Sequence, residues 1–185
     1  VLAPEDRADE SMHQVFAFLL RSLRANISGA LEGSDSEFLH DLRVATRRTR
    51  SALSQVKEVL PKDRAGEFAR EFKWLGEVTG PLRDLDVFLY EMPGLQAELG
   101  GEDGSLAPLQ RLLRRNRRNE IRRVRRALRS KRFKALLTQW QTFLDDEPKK
   151  NWGASVPAEA VEPSNKADAA INEAAMDLRR ISGQL

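Results

Sequence analysis

His40-Asp41-Leu42-Arg43-Val44-Ala45-Thr46-Arg47-Arg48-Thr49-Arg50 sets one imidazole and a row of guanidiniums beside an apolar stripe. Wound at about 100° per residue, His40, Arg43, Arg47 and Arg50 fall within roughly 80° of one another. Leu39, Leu42, Thr46, Thr49, Leu53, Val56 and Leu60 fill the adjoining sector. The spacing predicts a helix whose buried seam is edged by cations, with Arg48 projecting to the rim on the side away from the seam. Like charges three or four residues apart repel by about 0.2–0.5 kcal/mol a pair, so surface helices usually interleave acids. Little softens the row here, which therefore points to an anionic partner.

Helical signals dominate the chain. Met12, Val15, Phe16, Leu19, Leu20, Leu23, Ile27 and Leu31 keep one helical period after Pro4, Glu5 and Asp6, predicting a first helix to about residue 31. Gly33-Ser34-Asp35-Ser36 ends it, and Asp35 or Ser36 caps the signature helix, which is expected to run to about Leu60 before Pro61. A third helix over 62–78 is expected to break at Gly80-Pro81, a fourth to begin near Leu82, and Pro93-Gly94 and Gly100 to Ser105 to form loops. A long helix follows from Pro108 to about Arg129, then another through Phe133, Leu136, Leu137, Trp140, Phe143 and Leu144. Residues 145–165, with Pro148, Pro157 and Pro163, read as a linker. The C-terminal division, 166–185, carries a short amphipathic helix over 166–182 through Ala170, Ile171, Ala174, Leu178 and Ile181. The expected division is a helical bundle over 1–144, the linker, and that C-terminal helix. No run alternates as a strand would.

Charge is most segregated at 111–134, which holds 13 Lys or Arg against Glu120 alone. That segment contributes +12 to a chain whose formal total is +3, so the remainder sums to −9. Arg111, Arg114, Arg115, Arg118, Arg122, Arg125, Arg126, Arg129 and Arg132 share a sector of about 120°, and Leu109, Leu112, Leu113, Ile121, Val124, Ala127 and Leu128 lie on the other half. Their like-charge pairs would cost the isolated helix roughly 2–5 kcal/mol. Acids of neighbouring helices, or a polyanion, must relieve that. Arginine suits phosphate because its planar fork donates two parallel hydrogen bonds and stays charged at any relevant pH. Over a rise of about 32 Å the density suits a long flexible polyanion better than one small phosphate ester.

The string HDLRVATRRTR resembles the first signature of the CHAD family, the helical domain named for its histidine, and GPLRDLDVFL at 80–89 resembles its second. The likeness continues more loosely through Lys73 in FKWL and through SKRFKALLTQWQTFL at 130–144, covering roughly residues 10–145. The resemblance implies an all-α antiparallel helical bundle that binds inorganic polyphosphate without catalysis. It places His40, Arg43 and Arg47 at the ligand, with Arg48 and Arg50 nearby and Lys73 and Arg83 as further contacts. Taken alone, His40 would also fit a capping or core-edge role. The implied setting is cytoplasmic, at polyphosphate granules or with a phosphohydrolase partner. The family carries a related basic signature in its second half, and none follows before Leu185. The expectation is therefore a first lobe with the start of a second, or a bundle completed by another copy.

Other chemistries find little support. The chain has no cysteine, so disulfides and thiolate metal sites are excluded. His13 and His40 are the only imidazoles. Asp84 and Asp86 are a short Asp-X-Asp, a weak metal signal, and are expected instead to cap the fourth helix or to orient Arg83 and the signature arginines through ion pairs. There is no P-loop, no nucleophile elbow and no two-histidine metal helix, so neither catalytic residues nor a cofactor are expected. The longest apolar stretch, Val15 to Leu20, is far short of the roughly 20 residues of a membrane span. The leading expectation is that the signature helix, the Arg83 region and the arginine helix line one basic surface for polyphosphate. Two alternatives remain: a nucleic-acid backbone binder, weakened because Trp74, Trp140 and Trp152 are not interleaved with the basic row, or a docking surface for an acidic protein or a second copy.

Overall fold

A computed structural model describes residues 8–33, 35–56, 62–98 and 106–146. These form six α-helices: α1 (Ala8–Ala25), α2 (Ile27–Glu32), α3 (Ser36–Gln55), α4 (Lys62–Glu98), α5 (Ala107–Leu128) and α6 (Lys131–Asp146). No strand occurs among the described residues, and the fold is an all-α bundle. α4 is its spine, packing against α3, α5 and α6, while α1 packs against α3 and α6. Glu37 meets Arg83 and Arg43 meets Gly76, so α3 and α4 run antiparallel.

The seam of the signature helix is buried as its period requires, with Leu39, Leu42, Ala45, Thr46, Thr49 and Leu53 all enclosed. The two threonines survive there because each hydroxyl donates one turn back, Thr46 to the Leu42 carbonyl and Thr49 to the Ala45 carbonyl. Across from this seam, Trp140 sits fully buried with Phe16, Phe68, Phe72 and Phe143 around it. Most of those ring pairs are edge-to-face, an arrangement worth about 0.5–1.5 kcal/mol each beyond burial. Asp35 caps α3 by accepting from the Glu37 amide at 2.8 Å, and Gly33 closes α2 at φ 67°, where a side chain would be strained.

Four expected boundaries are corrected. The first helix divides at Asn26, whose side-chain amide donates to the Ser22 carbonyl at 2.8 Å and competes with the helical ladder there. The division lets α2 lie on α3, with Gly29 against the Phe38 ring where no Cβ would fit. α3 ends at Gln55 rather than near Leu60. Gly80-Pro81 does not break the chain, and the expected third and fourth helices are the single helix α4, which also continues through Pro93-Gly94 to Glu98. The expected loop at 100–105, the first turn at Pro4, most of the linker, and the helix at 166–182 lie outside the described residues.

Candidate polyanion site

Pro81 donates no hydrogen bond to the turn before it and its ring crowds that turn, which is why a helix normally stops there. The signature helix braces that turn from outside. Arg43 reaches across with Nη1 donating to the Gly76 carbonyl at 2.8 Å and to Thr79 Oγ1 at 3.1 Å, while that hydroxyl donates to the Leu75 carbonyl at 2.7 Å. Gly76 and Gly80 keep the helix surface low beneath the guanidiniums of Arg50 and Arg43, where a Cβ would lie 3.6 and 3.5 Å from their nitrogens. The two sequence signatures are thus one structural unit. Burial pushes the Arg43 guanidinium below its ordinary pKa; Asp84 opposes that, and the neighbouring positive charges of Arg83 and Arg47 add to it. An anion on this edge would relieve the crowding of three cations.

Beyond Arg43, the outer edge of α3 opens into a groove of about 1040 Å³ against the first half of α4. Its charged lining is Arg47, Arg50, Arg70 and Lys73, with Ser51, Ser54 and Gln55 alongside. Lys73 stands 3.8 Å from Glu77 with both side chains exposed, a pair worth little in water. Among the described residues no ion pair reaches Arg47, Arg50 or Arg70. His40 and Arg48 are half-buried on the same helix. Arg83 is turned toward Glu37 at 3.7 Å, at the start of α3. Sequence reasoning missed Arg70, although its place three residues before Lys73 on one helix face was a legible signal.

Asp84 and Asp86 do not cap a helix, because they sit inside α4. Asp86 is buried and accepts from Arg117 Nε at 2.6 Å, which ties α4 to α5. Among the described residues no group of three or more His, Asp or Glu side chains could hold a metal ion.

The arginine row divides in the structure. α5 ends at Leu128, and Ser130 starts α6 by accepting from the Phe133 amide at 3.1 Å, so Arg132 leaves the row. It pairs with Glu71 at 2.7 Å and lies 4.2 Å over the Trp74 ring. Arg125 is held by α2, donating to the carbonyls of Leu31 and Glu32 at 2.7 Å each and closing that helix's C-terminus. Arg122 donates to Asn119 at 2.6 Å. Arg111, Arg114, Arg115, Arg118, Arg126 and Arg129 are exposed and have no ion pair among the described residues. Two hollows mark this face: one of about 450 Å³ lined by Arg111, Arg114, Arg115 and Arg118, and one of about 660 Å³ lined by Arg122, Arg125, Arg126 and Arg129. Neither shares a lining residue with the groove on α3 and α4.

Among the described residues no helix is long and apolar enough to cross a membrane. The family described as CHAD domain matches residues 14–184. Among solved structures, the CHAD domain from the plant Ricinus communis superposes with a TM-score of 0.66 at 27% sequence identity. That match covers 82% of this chain and 50% of the plant chain, so the protein spans half the length of the domain it resembles. No curated protein matches.

Proposed function

The chain belongs to the CHAD domain family, and from that premise we propose that it binds inorganic polyphosphate, without chemistry, on the cationic edge of α3 and the arginine face of α5. The observation that carries this reading is the groove where Arg47, Arg50, Arg70 and Lys73 converge with little acid to neutralise them. These side chains are hydrogen-bond donors of fixed charge, and guanidinium forks match the paired oxygens of a phosphate. Arg43 contributes by its field and by fixing α3 on α4, while His40 and Arg83 flank the edge. In the cell the protein would accompany polyphosphate in the cytoplasm, at granules or beside a phosphohydrolase.

Nucleic acid is the competing polyanion. Base stacking is poorly served by two of the tryptophans: Trp140 is buried and Trp74 is covered by Arg132. Titration of long-chain polyphosphate into the protein and into an Arg47→Glu/Arg50→Glu variant tests the site. Two charge-assisted contacts at about 1.5 kcal/mol each predict a loss of about 100-fold in affinity. Equal affinity in a variant with unchanged circular dichroism would contradict the assignment.

A further inference from the structure

Along α4, Trp74, Pro81, Phe88 and Leu95 recur every seventh residue and form one stripe on the helix surface. α6 covers the start of that stripe, where Arg132 pairs with Glu71 and lies over the Trp74 ring. Further along, the stripe is bare: Phe88 is 59% exposed and Leu95 42%. On α5, Leu109 and Leu112 are 42% and 43% exposed. Phe88 and Leu95 project about 120–140° away from Arg83, which meets α3. Leu109 and Leu112 project about 140–160° away from Arg125, which is held by α2. The four side chains therefore share one apolar face of the α4–α5 pair, on the side opposite α2 and α3. It continues the layer that α6 occupies beside the first half of α4. That layer has room for one helix in line with α6, and not for a second α4–α5 pair.

We infer that residues 166–182 of this same chain dock on that face, as the helix in line with α6. Ala170, Ile171, Ala174, Leu178 and Ile181 keep a helical period there, an apolar stripe that a lone helix would leave in water. Wound as a helix, the 17 residues measure about 26 Å, against a rise of about 32 Å along α4 from Trp74 to Leu95. The reach is sufficient. α6 runs back along α4, from Arg132 at Glu71 to Phe143 at Phe68, and Phe68 stands about 30 Å along α4 from Phe88. The 19 residues 147–165 extend up to about 63 Å. The family match continues to residue 184, well past the end of α6, so the segment belongs to the matched domain. Docking also clamps α5 to α4 beside Arg111 and Arg115, at the start of the arginine row. The inference stands independently of which polyanion that row binds.

The test uses the full chain with the photoreactive p-benzoylphenylalanine in place of Phe88, irradiated in dilute solution, with adducts mapped by mass spectrometry. Capture of residues 166–182 within the same chain is the expected result. Tyr90 is the control position, because it is 87% exposed and projects about 160° from Phe88. The same group there should leave 166–182 uncaptured. Both positions are exposed, so the core is left intact. Ile171→Asp/Leu178→Asp should lower the yield from position 88 at least about tenfold, since burying unpaired charge is costly. Equal capture from position 90, or an undiminished yield in the Asp variant, shows a segment that meets the surface at random and overturns the inference. So does the absence of any adduct, and so does an adduct that joins two chains, which assigns the face to a second copy.

Discussion

Arg43 does two things that its sequence position does not separate. Its hydrogen bonds to Gly76 and Thr79 hold α4 together in the turn before Pro81, and its charge adds to a row already crowded by Arg47 and Arg83. Losing hydrogen bonds from a charged donor costs about 1.5–3 kcal/mol. Arg43→Ala is therefore expected to lower unfolding stability by that amount in urea titrations. Arg47→Ala, at an exposed position with no described ion pair, should stay within about 0.5 kcal/mol of wild type. If the two variants proved equally stable, the proposed anchoring of α4 by Arg43 would be wrong.

At the scale of elements, the period of the signature helix, its Asp35 cap, the Gly33 stop and the α5–α6 boundary were all legible, because each depends on residues within a turn or two. Gly80-Pro81 misled because the side chain that braces the helix there, Arg43, is more than 30 residues away in sequence. Arg132 was misplaced because one helical projection was carried past the α5–α6 boundary, whereas Ser130 caps a new helix and takes Arg132 with it. Likewise Arg125 reads as one more cation of the row until α2 is seen ending against it. Between α4 and α5 the decisive contact is Arg117 with buried Asp86. Removing the guanidinium leaves a carboxylate enclosed without its partner, and breaking such pairs costs about 3–5 kcal/mol. Arg117 is itself partly exposed, so Arg117→Ala should fall near the lower limit, about 3 kcal/mol by denaturant unfolding. A loss under about 1 kcal/mol would mean that water replaces the pair.

Over the whole molecule, the near-neutral total hides a basic stretch of net +12 over residues 111–134, which spans α5 and the start of α6, set in an acidic remainder of −9. Such a separation raises the local concentration of polyanions and repels acidic surfaces elsewhere. Ligand binding should release counterions much as nucleic-acid binding does. For six to ten engaged phosphates the affinity is expected to fall by about 10³–10⁵-fold between 50 and 200 mM salt. Flat affinity across that range would rule out an electrostatic mode. The chain spans half the length of the plant CHAD domain that it resembles, yet both signature motifs, the groove and the arginine row fall within its described residues.

Competition between polyphosphate and RNA tests most directly whether polyphosphate is the ligand. Long-chain polyphosphate is bound to the protein at physiological salt, and RNA is added at the same phosphate concentration. Arginine forks spaced along α3, α4 and α5 for a bare phosphate chain predict that polyphosphate stays bound. Displacement by RNA in proportion to its phosphate would show a surface that grips any polyanion, and would contradict polyphosphate as the ligand.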